Sequence, residues 1–171
     1  MENIAVNKAM PYLTFRLGEE SYALRINKVR EVLKETKITK IPKTPGYMLG
    51  VINLRGGVVS VIDLKMKFGM ERIVDLSTAN IIILELIHNN ETLLIGAVVD
   101  LVHEVLELDS TMIEGAPKLG MNMNTEFLEG IGKKGEDFII ILDIDKIFSV
   151  SELTLVNGLK KTTIQETVLS Q

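Results

Sequence analysis

The sequence predicts an all-β fold of two small barrels packed side by side around a shared core, with short helical turns. Three observations carry the prediction. Short apolar runs with strand-like patterning follow one another along most of the chain. Gly- or Asn-containing turns separate them at hairpin spacing. The stretch from Gly50 to Phe68 returns without a gap from Gly130 to Phe148, so that Val59 meets Ile139 and Asp63 meets Asp143. An echo of this kind marks two copies of one β unit. The copies differ at the turn, where Asn53-Leu54-Arg55-Gly56 stands in the first and Lys133-Lys134-Gly135 in the second.

Taken in order, Met1 to Pro11 read as a loose tail. Tyr12 to Leu17 alternate apolar and polar residues, Gly18 to Ser21 form the turn, and Tyr22 to Ile26 return. Asn27 to Leu33 fit a short helix or an irregular strand, and the pattern does not choose between them. Pro42 to Gly46 punctuate the chain. Val51 to Leu54 and Val58 to Ile62 then make a hairpin through Arg55-Gly56-Gly57, since Gly accepts positive φ. Asp63 reads as the N-cap of a helical turn from Leu64 to Phe68 that stops at Gly69. The second half repeats the plan. Its strands are Ile81 to Leu86 and Leu93 to Val99, joined by a polar turn from His88 to Glu91. Val102-His103-Glu104-Val105-Leu106 then answers Val29-Arg30-Glu31-Val32-Leu33. Gly115 to Asn124, with Pro117 and the Met121-Asn122-Met123-Asn124 run, read as a long loop. The second Gly-containing hairpin and its Asp143-capped turn follow, and residues after Ser151 form a C-terminal helix or tail. The expected organisation is one domain over 12–150, split into a first barrel at 12–80 and a second at 81–150, with tails at 1–11 and 151–171. Neither half carries much core alone, which predicts an apolar interface between them.

Composition narrows the function. The net charge is −4 with both signs dispersed, and there is no Trp. That speaks against nucleic acid, which needs concentrated Lys and Arg with aromatic platforms. The absence of Cys removes thiolate metal sites, cysteine nucleophiles and disulfides, and it fits a reducing compartment. Met1 to Met10 lack a signal-peptide pattern, and no apolar run reaches the ~20 residues that span a bilayer. A cytoplasmic protein that is not inserted in the membrane is expected.

Catalytic chemistry is hard to assemble. His88 sits in a polar turn and reads as solvated, and His103 reads as outward-facing. Neither has a second ligand at metal spacing. Asp143-Ile144-Asp145 resembles a carboxylate pair, but a helix cap followed by a first-turn acid explains it better. No acid, base and nucleophile converge, so no catalytic residue, cofactor or metal is assigned. Two residues look recruited instead. Arg55 projects from a hairpin corner beside Gly56, although an ordinary exposed turn cation is the simpler reading. Glu31 is a carboxylate between Val29 and Val32, although edge-strand protection would also explain it. Val29, Val32, Val102 and Val105 read first as core. A groove between two barrels would be a good dock for a partner helix.

The motifs Tyr22-Ala23-Leu24-x-Ile26-x-x-Val29-x-Glu31-Val32, Ile41-Pro42-x-x-Pro45-x-Tyr47-x-x-Gly50-Val51-Ile52-Asn53-Leu54-Arg55-Gly56 and Val58-Val59-x-Val61-Ile62-Asp63-Leu64-x-x-x-Phe68-Gly69 resemble the CheW family of bacterial chemotaxis coupling proteins. Gly96-x-Val98-Val99-Asp100-x-Val102-x-Glu104-Val105 and Phe127-Leu128-x-Gly130 extend the match over most of the chain. The resemblance implies two intertwined five-stranded SH3-like barrels and a non-catalytic adaptor. Its partners would be the cytoplasmic tips of chemoreceptors and the CheW-like regulatory domain of the histidine kinase CheA, in arrays at the membrane. By position it makes Val29, Glu31, Arg55, Val102 and Val105 receptor-groove residues, and Gly50 and Gly130 residues that affect coupling to kinase or receptor. Ser60, Lys65 and Arg25 depart from common family choices. The residues after Val150 are too few for a receiver domain, which argues against a CheV-like protein. A CheW-like scaffold for another receptor–kinase system, or a small-ligand barrel, are the alternatives.

Overall fold

The structure, a computed structural model, describes residues 8–73, 75–115 and 126–158. The expected loop through Pro117 and Met121 to Asn124 lies outside the described residues. Among the described residues eleven strands run in the order β1 (Met10–Leu17), β2 (Glu20–Arg25), β3 (Val29–Lys34), β4 (Met48–Leu54), β5 (Gly57–Asp63), β6 (Asn80–His88), β7 (Glu91–Val99), β8 (Leu101–Leu108), β9 (Ile113–Glu114), β10 (Leu128–Lys134) and β11 (Asp137–Leu142). A single helical turn, α1 (Leu64–Lys67), follows β5, and a C-terminal helix, α2, covers 150–158. The first strand starts at Met10, so the expected tail ends two residues early.

The chain forms two compact units. One takes the residues up to Lys28 together with Leu101–Ile147, the other Val29–Asp100 together with the residues from Phe148 on. The first holds a sheet in the order β8-β1-β2-β11-β10-β9, the second a sheet in the order β3-β6-β7-β5-β4. This corrects the expected split into 12–80 and 81–150. The cause is the link between β2 and β3, the three-residue 3-10 turn Ile26–Lys28. To pair with β1 of its own hairpin, β3 would have to be carried back a full strand length and across two strands. Three residues reach at most ~11 Å, about half the length of a six-residue strand. β3 pairs with β6 instead, Val32 opposite Ile82, and β8 pairs with β1, Val105 opposite Leu13.

The internal echo is a real structural repeat. β4–β5 and β10–β11 are antiparallel hairpins with the same register break, between Met48 and Gly50 in one and Leu128 and Gly130 in the other. β5 runs parallel to β7, and β11 parallel to β2. Asp63 N–H donates to Tyr47 O at 2.7 Å and Asp143 N–H to Phe127 O at 2.8 Å. One expectation of symmetry fails: the first unit has a sixth strand, β9, where the second has the single bridge Thr39–Val51.

Each unit has its own core cluster. Val61, Ile83 and Val98 anchor one, and Tyr12, Ala23 and Ile141 the other. Every fully buried branched aliphatic residue contributes ~1.5–3 kcal/mol. Asp63 does more than cap: Oδ1 accepts from Lys65 N at 3.0 Å and Met66 N at 3.2 Å, and Oδ2 from Ile73 N at 3.0 Å. Gly69, with φ +78, ends the turn. Its N–H donates to Met66 O and that of Met70 to Lys65 O, closing a Schellman cap. Asp143 caps its own 3-10 turn by accepting from Asp145 N.

Candidate functional site

In the second unit the site begins with a turn. Leu54 pairs with Gly57, so Arg55 and Gly56 alone make the β4–β5 loop. Both have positive φ, +50 and +85. Two such residues give the twist that a two-residue hairpin needs. Arg55 carries that backbone without being Gly, and the Asn53 side chain, accepting from Gly56 N at 2.8 Å, holds the corner. The guanidinium, 74% exposed, lies 2.8 Å from the Glu31 carboxylate, itself 22% exposed.

Glu31 is on β3 and Arg55 at the end of β4, the two outer strands of the sheet. An ion pair across the ends of a five-strand order requires the sheet to curl round on itself. An exposed pair of this kind adds only ~0–1 kcal/mol to stability; its effect is to fix the orientation of two charges. β3 alternates around it: Val29, Glu31 and Leu33 are half-buried, and Arg30, Val32 and Lys34 are exposed. Arg30 pairs with Glu85 at 2.7 Å.

The first unit repeats this arrangement. Glu104 on β8 pairs with Lys134 at the end of β10. The hydrogen bond from Lys134 holds the Glu104 carboxyl below its ordinary range. Thr14 ties the strand beneath, its hydroxyl donating to Glu104 O at 2.7 Å and accepting from Glu104 N at 3.2 Å. Reading the two echoes together, the strand after each opening hairpin and the tip of each closing hairpin, would have exposed this second pair.

The sequence candidates divide between the units. Val29, Glu31 and Arg55 lie on one, with Glu31 and Arg55 in direct contact, and Val102 and Val105 lie on the other. The reading of the valines as core does not hold. Val105 is 53% exposed and Val32 37%, and Val29 and Val102 are only half-buried. Alternation on an outer strand leaves them at the surface.

Gly50 and Gly130 are buried rather than exposed. A Cβ on Gly50, whose φ is +145, would lie 2.1 Å from Thr39 O, and one on Gly130 2.5 Å from Glu114 O. Each glycine admits the segment that crosses it, the Thr39 bridge at Gly50 and β9 at Gly130, which is the close backbone approach expected of a strand glycine.

His88 corrects another expectation. It is buried, and Thr154 Oγ of α2 lies 3.4 Å from its Nε2. A polar turn looks solvated in sequence, but α2 covers it. That helix is latched by Glu152, which pairs with Lys67 at 3.0 Å and accepts from Ser149 N. Burial and the Glu152 carboxylate push Tyr47 up to about 12. No group of three or more His, Asp or Glu among the described residues is placed to hold a metal ion. No helix among the described residues is long and apolar enough to cross a membrane.

Comparison with known proteins agrees with this geometry. The family model of the CheW-like domain matches residues 11–152. The chemotaxis protein CheW of Klebsiella aerogenes is 37% identical over 151 residues, 88% of this chain and 89% of that one. CheW of Thermotoga maritima is 29% identical over 88% of this chain and 94% of its own. The crystal structure of the scaffolding protein TtCheW from Thermoanaerobacter tengcongensis superposes with a TM-score of 0.73 at 39% identity, covering 85% of this chain and 96% of that one.

Proposed function

The chain belongs to the CheW-like family, and from that premise we propose that it is a non-catalytic chemotaxis adaptor. It couples transmembrane chemoreceptors to the histidine kinase CheA by binding both, in the cytoplasm at receptor arrays. The residues proposed to take part in receptor binding are Val29, Glu31 and Arg55 on one unit and Val102 and Val105 on the other. Gly50 and Gly130 act on coupling indirectly, by keeping the segments they admit in place. The observation that carries the reading is the Glu31–Arg55 pair, two oriented charges on and beside an outer strand that also carries half-buried Val29 and exposed Val32. Such a surface gives partner choice more than stability.

Calorimetric titration with the regulatory domain of the cognate kinase, and separately with the receptor tip, tests it. Saturable binding is expected for both. Arg55→Ala should weaken receptor binding while changing unfolding stability by no more than ~1 kcal/mol. Absence of binding to either partner well above micromolar concentration would refute the adaptor reading. Collapse of the fold in Arg55→Ala would make that residue structural.

A further inference from the structure

Of the nine Lys and Arg residues described in the second unit, four are in ion pairs: Arg30 with Glu85, Arg55 with Glu31, Lys65 with Asp100 and Lys67 with Glu152. Of the other five, Arg72 stands apart and four gather at the end of β3 and in the segment that joins it to β4. Lys34, Lys37, Lys40 and Lys43 recur every third residue, with Glu35 the one acid among them, in a chain whose net charge is −4. All four are exposed, and none enters an ion pair among the described residues.

The segment carrying them is fixed. Thr39 N–H donates to Val51 O and Val51 N–H to Thr39 O, both at 2.8 Å. Ile38 packs against the core of the unit. Glu35 and Lys43 hold turns at φ +45 and +61, and Thr44 Oγ donates to Ile41 O at 3.1 Å. A strip of four uncompensated charges on an ordered backbone spans at most ~30 Å. It is continuous at one end with the strand that bears Glu31 and at the other with the hairpin that bears Arg55.

We propose that this strip is an electrostatic contact for an acidic stretch of the receptor helix that docks at Glu31 and Arg55, extending that site along the chain. The proposal rests on the adaptor reading for the identity of the helix. Charge complementarity argues for an acidic protein surface. Nucleic acid would call for aromatic platforms, and the segment has no aromatic side chain between Lys34 and Lys43. Uncompensated surface charge acts mainly on the association rate and is screened by salt.

The test is stopped-flow association of the full chain with the receptor's cytoplasmic helical tip, at about 20 mM and about 500 mM salt, where screening differs several-fold. The variant reverses all four charges (Lys34, Lys37, Lys40 and Lys43→Glu), with the four Lys→Gln changes held as a second variant should reversal disturb folding. Reversal of Arg16 and Arg72, exposed cations elsewhere, is the control. The expected result is an association rate at least tenfold lower at low salt for the strip variant, with the difference vanishing at high salt and dissociation unchanged. A rate within twofold of wild type at low salt, or an equal loss in the control, overturns the proposal and leaves the adaptor reading standing. Wild type that binds no tip at either salt refutes the adaptor reading, and the proposal with it.

Discussion

Gly50→Ala should cost ~2–6 kcal/mol of unfolding free energy through two separate effects. The backbone at Gly50 sits at φ +145, a region open in practice only to glycine, and forcing a side chain there costs ~1–3 kcal/mol. The new Cβ would also lie 2.1 Å from Thr39 O and 2.7 Å from Thr39 C. Both are backbone atoms that no rotamer change can move. Relief requires the 35–47 segment to lift, breaking the two Thr39–Val51 hydrogen bonds at ~0.5–1.5 kcal/mol each. Against a typical total of ~5–15 kcal/mol this is a severe loss, and aspartate at the same position adds a buried charge. Urea unfolding measures the total, and hydrogen exchange at the Thr39 and Val51 amides locates it. Gly18→Ala is the comparison, since Gly18 has φ +62 and nothing within 4 Å; it should cost only ~1–2 kcal/mol. Equal losses in the two variants, or full protection of the Thr39 amide in Gly50→Ala, would refute the close-approach argument.

Gly130→Ala should loosen β9 in the same way, seen as faster exchange at Glu114 and Lys133, because its Cβ would meet Glu114 O. Asp63→Ala should cost ~2–4 kcal/mol in urea unfolding, since it removes a cap and strands the buried Ile73 N–H; Asp143→Ala, which loses a single cap bond, should cost less. Tyr47 holds its proton up to about pH 12, above the ordinary value near 10. Its contribution is therefore fully present below pH 10 and is lost as pH rises toward 12. Tyr47→Phe should flatten that part of the stability–pH curve, and an unchanged slope would show that Tyr47 is not the group behind it.

Much of the fold was legible because it is written locally. The positive-φ turns, the Asp63 and Asp143 caps and the Gly69 stop depend on residues within a few positions of one another. The repeat was legible because both copies keep the glycines that their strand crossings require. What was not legible depends on distant chain. The placement of β3 turns on which free edge a three-residue link can reach, and β9 exists only because Gly130 lets Glu114 approach. The burial of His88 is decided by a helix far along the sequence. At the site, Glu31 and Arg55 were singled out and do meet. The exposure of Val105 was missed because an apolar residue in an alternating run reads as buried until the strand is known to be an outer one.

The path of β3 and β8 has a consequence for how the molecule can be divided. The β1–β2 and β6–β7 hairpins each give their following strand to the other unit, so cutting the chain near residue 80 would divide both sheets: one fragment would keep β1 to β5 and the other β6 to β11, and neither would hold a complete sheet. Each fragment would hold the piece the other needs. Separately expressed halves should therefore be aggregation-prone alone and should reconstitute when mixed, in the manner of an exchanged dimer whose partners happen to share one polypeptide. The same path makes folding non-local, since neither sheet can be completed until both halves of the chain have been synthesised.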